Sequence, residues 1–152
     1  MSLYTIVQPL TEEEVNEYYR IRFEVLRKPW DKSESTTKDE TENSSLHFLV
    51  KNEKGQSVGT GRMQINSEEE AQVRSMAVLD TYQGKGIGSL ILNHIEQLAK
   101  EKGIKHIVLD ARENAINFYE KNGYTIIEKS YLLFETIQHY QMKKIIEAIS
   151  IF

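Results

Sequence analysis

The chain has 152 residues and no cysteine, which is the length of one globular domain and excludes disulfides, thiolate nucleophiles and cysteine-based zinc sites. Its formal net charge of −4 provides no overall basic field, so we predict no nucleic-acid partner. No stretch approaches the roughly 18 apolar residues of a membrane span, and the first residues do not resemble a signal peptide. We therefore expect a cytoplasmic protein with no membrane partner, folded as a single domain over residues 1–152.

The first residues predict a strand followed by a helix. Residues 3–9, LYTIVQP, are β-branched and aromatic, as is typical of a strand. Thr11 and Glu14 form a capping box ahead of apolar residues at helical spacing, which predicts a helix to about Arg27. Arg22 lies on the apolar stripe of this helix, where it either snorkels at the edge or points into a pocket.

The middle of the chain predicts a polar loop and a β-meander. Residues 28–45 are polar and indicate a loop or a mobile flap. Its acidic residues either attract a cationic amine or form a solvated surface. Residues 46–52, 56–66 and 71–79 predict three strands joined by short turns, because they are rich in β-branched residues or alternate between apolar and polar positions.

The second half predicts alternating helices and strands. Apolar residues keep a helical period from Ile87 to Ala99, and Gly103 supplies a C-cap. Residues 104–111 have the near-continuous apolar centre of a strand that is buried on both faces. The remaining predicted elements are a short helix at 113–123 and two closing strands at 124–134 and 139–146. This order of elements predicts an α/β (α+β) fold.

A glycine-rich stretch, VLDTYQGKGIG at 78–88, lies between a predicted strand and a predicted helix. Free N–H groups and the positive end of the helix dipole make such a turn suitable for an anion. A nucleotide-binding P-loop needs a lysine after its last glycine, but here Gly88 is followed by Ser89. The dinucleotide-binding spacing G-x-G-x-x-G is not met either, because the glycines follow G-x-G-x-G. On the glycines alone, a purely structural turn remains the alternative.

Two motifs in register resemble those of the GCN5-related N-acetyltransferase (GNAT) family. QGKGIG resembles the family's acyl-CoA-binding loop, Q-x-x-G-x-G, with Gln83 at its first position. ARENAINFYEKNGY, at 111–124, resembles the family segment that contains Y-E-K-x-G, with Tyr119 as its tyrosine. The resemblance implies the GNAT acyl-CoA N-acyltransferase fold, in which helices flank a central mixed, mostly antiparallel sheet. RIRFEVLRKPW and HYQMKK resemble segments of small bacterial members.

The resemblance also implies acetyl-CoA (coenzyme A) as the cosubstrate, with its pyrophosphate on the glycine loop. The implied cofactor-binding residues are Met76, Ala77, Val78, Gln83, Gly84, Lys85, Gly86, Ile87, Gly88, Ser89, Asn114 and Tyr119. The N–H of Val78 would face the thioester oxygen, and Tyr119 would protonate the leaving thiolate, with a core tyrosine as the alternative interpretation. The family often has an asparagine where this chain has Arg112, so either Asn114 substitutes for it or that contact is lost.

The predicted reaction is direct transfer of the acetyl group to a small-molecule amine or a protein amine. A non-catalytic acyl-CoA sensor or scaffold is the alternative function, and the presence of Tyr119 favours the enzyme. Candidates for the acceptor site are Arg22, Glu24, Arg74 and His139. The general base is left open between Glu24, Gln72, Arg74, His139 and a water chain, and neither Gln72 nor Arg74 is a good base.

Two further predictions concern metals and oligomers. The four histidines are isolated in the sequence, so we expect no metal. The resemblance also implies a possible homodimer, formed through the closing strands or the apolar residues 145–152.

Overall fold

The computed structural model describes residues 3–134 and 136–146. In this part of the chain the helices are α1 (Glu12–Leu26), α2 (Ile87–Glu101) and α3 (Ile116–Lys121). The strands are β1 (Thr5–Val7), β2 (Leu46–Lys51), β3 (Ser57–Ile65), β4 (Glu70–Val78), β5 (His106–Arg112), β6 (Thr125–Leu133) and β7 (Ile137–Ile145). No helix among the described residues has the length and apolarity that crossing a membrane requires.

The strands form one sheet in the order β1-β2-β3-β4-β5-β7-β6. β4 and β5 pair in parallel, whereas the pairs β1–β2, β2–β3, β5–β7 and β6–β7 are antiparallel. The predicted fold class, a mixed and mostly antiparallel sheet with helices, is therefore confirmed.

The chain divides into two compact units, Met1–Gln64 with Ser75–His94 and Ile65–Arg74 with Ile95–Phe152. Strand β4 and helix α2 contribute residues to both units. A single domain over 1–152 stays a prediction. The apolar residues 147–152, which we considered as a dimer contact, lie outside the described residues.

Helix α1 packs on the sheet of the first unit through a short apolar stripe. The predicted capping box is confirmed: the hydroxyl of Thr11 accepts from the N–H of Glu14 at 3.0 Å, and the Glu14 carboxylate accepts from the N–H of Thr11 at 3.2 Å. Tyr18 and Ile21 of α1 then join Leu49 of β2 and Ala77 of β4 in one buried cluster.

Strand β5 lies in the core of the second unit, as its apolar centre predicts. The consecutive residues Ile107, Val108 and Leu109 are all buried, so both faces of the strand are covered. Leu109 pairs with Met142 of β7, which is also buried.

Several element boundaries differ from the prediction. β1 covers only Thr5–Val7 because Pro9, which has no N–H, ends its ladder with β2. The predicted helix at 113–123 is a 3₁₀ turn, Glu113–Ala115, followed by the six-residue helix α3. β7 begins at Ile137 and not at 139, since Ile137 pairs with Leu133 of β6.

The predicted loop 28–45 has more structure than its composition indicates. It contains three 3₁₀ turns, Lys28–Trp30, Glu34–Thr36 and Glu42–Ser44. Thr37 and Glu42 are buried. The segment is therefore not a simple solvated flap.

Candidate active site

Strand β4 holds the backbone groups that the family resemblance assigned to the cofactor, with Val78 opposite the thioester oxygen. Ala77 is buried, and Met76 and Val78 are half-buried. The N–H of Leu79 donates to the carbonyl of Val58 on β3 at 3.0 Å. Because successive N–H groups of a strand point to opposite edges, the N–H of Val78 points away from β3. The N–H of Val78 could therefore donate to a ligand that lies along the edge of β4 opposite β3.

A local distortion of β4 precedes these residues. Ser75 has a φ of 53°, in the left-handed region that residues with a side chain seldom adopt. The hydroxyl of Thr60 on β3 donates to the carbonyl of Ser75 at 3.0 Å. Such distortions redirect a strand and are frequent next to active sites. This distortion could not be predicted from the sequence, because a serine in an alternating strand does not indicate a positive φ.

The glycine loop forms the turn between β4 and α2. Gly84 and Gly86 have φ values of 78° and 82°, so each position requires the freedom of glycine. A Cβ on either glycine would meet nothing within 4 Å, so the requirement is conformational and not one of space. The carbonyl of Gly86 accepts from the N–H of Leu90 at 3.0 Å, which places Gly86 at the start of α2.

The first turn of α2 presents backbone donors at the same place. The N–H groups of Ile87, Gly88 and Ser89 lie in this turn, where no carbonyl of the helix is in reach. The first turn carries no acidic residue. Partial positive charge and exposed glycines therefore suit an anion at this place, and a pyrophosphate there stays a prediction.

Two side chains of the loop take positions at its rim. The amide of Gln83 donates to the carbonyl of Val78 at 3.0 Å and to the Asp80 carboxylate at 3.3 Å. Gln83 thus ties the loop to the end of β4. The Lys85 ammonium lies 5.9 Å from the centre of the Tyr82 ring. Direct contacts of Gln83 and Lys85 with the cofactor stay predictions.

Tyr119 lies on helix α3 in an aromatic group of the second unit. Its ring packs edge to face against Phe118 at 5.0 Å and Tyr124 at 6.0 Å between centroids. Burial raises the pKa of Tyr119 to about 12, and the charge of Arg112 acts in the opposite direction. The phenol is therefore protonated throughout the physiological pH range. Asn114 lies exposed in the turn before α3.

Arg22 is buried, with 2% of its surface exposed, so the interpretation as a snorkelling edge residue is wrong. Its Nη1 donates to Glu42 Oε1 at 2.6 Å, and its Nη2 donates to Glu42 Oε2 at 3.0 Å and to the carbonyl of Thr37 at 2.6 Å. A bidentate pair with a carboxylate explains how this charge is accommodated in the interior. A role of Arg22 in binding the acceptor stays a prediction.

Arg22 belongs to a buried ion cluster that the sequence did not reveal. We use this name for Arg22, Asp39, Glu42 and Arg62. Arg62 of β3 is fully buried; it pairs with Glu42 and, at 2.9 Å, with Asp39. Two residues of the supposed flap thus neutralise two buried arginines, so their carboxylates do not form an open acidic surface for cationic amines.

The carboxyls of the cluster titrate well below their usual range. Burial raises the pKa of Glu42, but hydrogen bonds and charges from Arg22 and Arg62 outweigh it and lower the pKa to about 2. The pKa of Asp39 is also lowered, because the hydrogen bonds from Arg62 and Thr41 outweigh the effect of burial. Both carboxylates are ionised at neutral pH.

The other acceptor-site candidates lie in different surroundings. Glu24 pairs with Arg20 at 3.3 Å on the exposed side of α1. Arg74 is half-buried on β4 in the second unit. His139 of β7 is buried and pairs across the ladder with Arg112. The structure thus places Glu24 in the first unit and both Arg74 and His139 in the second.

The ring of His139 is held in one tautomer. It stacks on Tyr131 at 4.4 Å, and its Nδ1 lies 3.0 Å from the carbonyl of Ile137. A carbonyl only accepts, so Nδ1 carries the proton of the neutral ring and Nε2 carries the lone pair. Among the described residues, no group of three or more His, Asp or Glu side chains is arranged to hold a metal ion.

Comparison with known proteins agrees with both motifs. Residues 10–124 match the model of the Acetyltransferase (GNAT) family. The chain is 29% identical over 133 residues to the "Uncharacterized N-acetyltransferase YjcF" of Bacillus subtilis (strain 168), a match that covers 88% of this chain and 94% of that protein. It is 32% identical over 137 residues to the protein YyaT of the same organism, with 88% and 90% covered.

A solved structure shows the same fold. The crystal structure of a GNAT family acetyltransferase from Elizabethkingia anophelis with acetyl-CoA bound superposes with a TM-score of 0.77, covering 95% of this chain and 99% of that one. The two sequences are 16% identical, so this likeness concerns the fold alone.

Proposed function

The chain belongs to the GNAT acetyltransferase family, and from this premise we propose that it transfers the acetyl group of acetyl-CoA directly to a primary amine. The observation that carries the proposal is the glycine loop, in which Gly84 and Gly86 adopt positive φ angles directly before the first turn of α2, whose N–H groups have no partner within the helix. The acetyl-CoA bound to the structural neighbour from Elizabethkingia anophelis supports the choice of ligand.

The donor would lie along β4, with its phosphates at the start of α2. The N–H groups of Gly84 to Ser89 would take the pyrophosphate, which suits the positive end of a helix. Met76 and Ala77 would hold the pantetheine arm through their backbone groups, as an added strand is held. The N–H of Val78, which points away from β3, would donate to the thioester oxygen as negative charge develops there.

The reaction needs one bond to form and one to break. The neutral amine nitrogen attacks the thioester carbonyl carbon, and the carbon–sulfur bond then breaks with its electron pair on sulfur. Tyr119 would give its phenolic proton to this thiolate and regain a proton from the amine by way of solvent. The packing of the Tyr119 ring against Phe118 and Tyr124 supports this role, because it holds a phenol, which can donate a hydrogen bond, in one position.

The acceptor would be a small-molecule or protein amine. Many amines supply enough of their neutral form for attack, so a dedicated base is not obligatory. His139 is the one imidazole among the candidates for the base, and Arg74 is a further acceptor-site candidate. Arg22 and Glu24 are less suited, since one is committed to Glu42 and the other pairs with Arg20 at the surface.

Calorimetric titration with acetyl-CoA, followed by thiol release with a panel of primary amines, tests this function. The panel contains a polyamine, an aminoglycoside, a peptide with a free N-terminus and a peptide with an internal lysine. We expect one acetyl-CoA per chain and thiol release that depends on one class of amine. Binding without release for every amine would favour a non-catalytic acyl-CoA sensor, and the absence of binding would contradict both functions.

A further inference from the structure

We propose that Lys144 is a positioning residue, which braces the end of helix α3 together with Glu96 and so sets the position of Tyr119. This inference rests on the proposed function, in which Tyr119 is the proton donor. Neither Lys144 nor Glu96 belongs to the two motifs that indicated that function.

Lys144 of β7 meets three groups of the second unit. Its ammonium donates to Glu96 Oε1 at 2.8 Å and to the carbonyl of Asn122 at 2.9 Å. It also lies 5.7 Å from the centre of the Tyr124 ring. The Tyr124 hydroxyl donates to Glu96 Oε2 at 3.0 Å, so both carboxylate oxygens are bound. Glu96 and Tyr124 are buried, which makes these contacts strong and well defined.

Asn122 and Tyr124, which Lys144 contacts, also contact Tyr119. The carbonyl of Tyr119 accepts from the N–H groups of Asn122 and Tyr124, both at 3.0 Å. The rings of Tyr119 and Tyr124 pack edge to face at 6.0 Å. Any shift of Asn122 or Tyr124 therefore moves the backbone and the ring of Tyr119 together.

Helix α3 depends on this external support. It has six residues, and a helix that short is not stable without tertiary contacts. Lys144 places a cation at its C-terminal end, where it complements the helix dipole. Gly123 adopts a φ of 93° there, and a Cβ at this position would lie 3.1 Å from Cε of Lys144. The glycine thus lets Lys144 approach the end of the helix.

The test is a double-mutant cycle on kcat with saturating acetyl-CoA and the amine found most active. We expect Lys144→Met to lower kcat about tenfold with little change in the KM for acetyl-CoA, because a small misplacement of a catalytic group is costly. Lys144→Arg should restore most of kcat. In a Tyr119→Phe background Lys144→Met should have almost no further effect, since it acts through the missing hydroxyl.

The control is Lys105→Met, which removes a lysine that pairs with Glu69 at the surface of the same unit. It should leave kcat unchanged. Should Lys144→Met fail to fold, Tyr124→Phe removes one hydroxyl, keeps both charges paired and should show the same dependence on Tyr119. Additive losses in the double variant, or an unchanged kcat, would overturn the inference while leaving the proposed function intact. A wild-type protein without amine-dependent thiol release would overturn the proposed function and this inference with it.

Discussion

The glycine loop and the buried ion cluster are both polar features of the first unit, but they are built in opposite ways. The loop is local: residues 83–89 are consecutive, largely exposed, and act through backbone N–H groups. The cluster joins Arg22, Asp39, Glu42 and Arg62 from three segments, and it acts through side chains that are buried, except for the half-buried Asp39. A local backbone feature can be read from its residue types, whereas a charge cluster requires knowledge of which distant residues meet.

The largest expected effect comes from breaking the cluster. Glu42→Gln leaves Arg22 and Arg62 buried without their shared carboxylate, which should lower the free energy of unfolding by about 3–5 kcal/mol. Denaturant unfolding measures this loss. The matched control is Glu40→Gln, an exposed residue of the same segment, whose effect should stay within about 0.5 kcal/mol. Equal effects of the two substitutions would show that the cluster does not stabilise the fold.

Protonation of Glu42 at low pH should lower the free energy of unfolding, as Glu42→Gln does, because both remove its negative charge. The pKa of Glu42 falls from 4.5 to about 2 on folding, so its contribution is complete above pH 4.5 and is lost as the pH falls toward 2. The loss of unfolding free energy in this range should reach at most about 3 kcal/mol from Glu42. Unfolding measured from pH 6 to pH 2 should show a shallower decline for Glu42→Gln than for the wild type. Parallel curves would contradict this assignment.

A substitution in the glycine loop should differ from one at another positive-φ glycine in its effect on acetyl-CoA binding and not in its effect on stability. Gly86→Ala and Gly103→Ala place a Cβ at nearly equal φ values, 82° and 79°, with nothing within 4 Å of either. Each should lower the free energy of unfolding by about 1–2 kcal/mol. Only Gly86→Ala should weaken acetyl-CoA binding in a calorimetric titration, because Gly103 lies at the other end of α2. Equal affinities of the two variants would remove the loop from the cofactor site.

The smallest effect is expected at the surface pair of Arg20 and Glu24. Their side chains are 49% and 38% exposed, so Glu24→Gln should change the free energy of unfolding by about 0.5 kcal/mol or less. The same substitution at buried Glu42 should cost much more unfolding free energy, and the difference measures the effect of burial. A changed KM for the amine in this variant would place Glu24 in the acceptor site after all.

The same distinction explains how much of the fold and the site the sequence could predict. The capping box at Thr11, the apolar period of α2 and the buried centre of β5 depend on neighbouring residues, and all three were predicted. For Arg22 the sequence left a snorkelling and an inward position open, because its partner Glu42 lies 20 positions away in a segment whose composition indicates a flap.

The candidate site also has features that could be predicted from local residue types and features that could not. The strand–turn–helix order around the glycine loop follows from local residue types. The left-handed Ser75 on β4 could not be predicted, since serine has no preference for that conformation. The contacts of Lys144 with Glu96 and Asn122 were also missed, because they join residues 48 and 22 positions apart.

The most direct test of the proposed function is amine-dependent thiol release by the wild type and by Tyr119→Phe. The substitution removes one hydroxyl and keeps the ring packed against Phe118 and Tyr124. With saturating acetyl-CoA we predict a kcat about a hundredfold lower for Tyr119→Phe, with the KM for acetyl-CoA nearly unchanged. Equal kcat values would remove Tyr119 from the chemistry, and the absence of amine-dependent release from the wild type would contradict the proposed acetyl transfer itself.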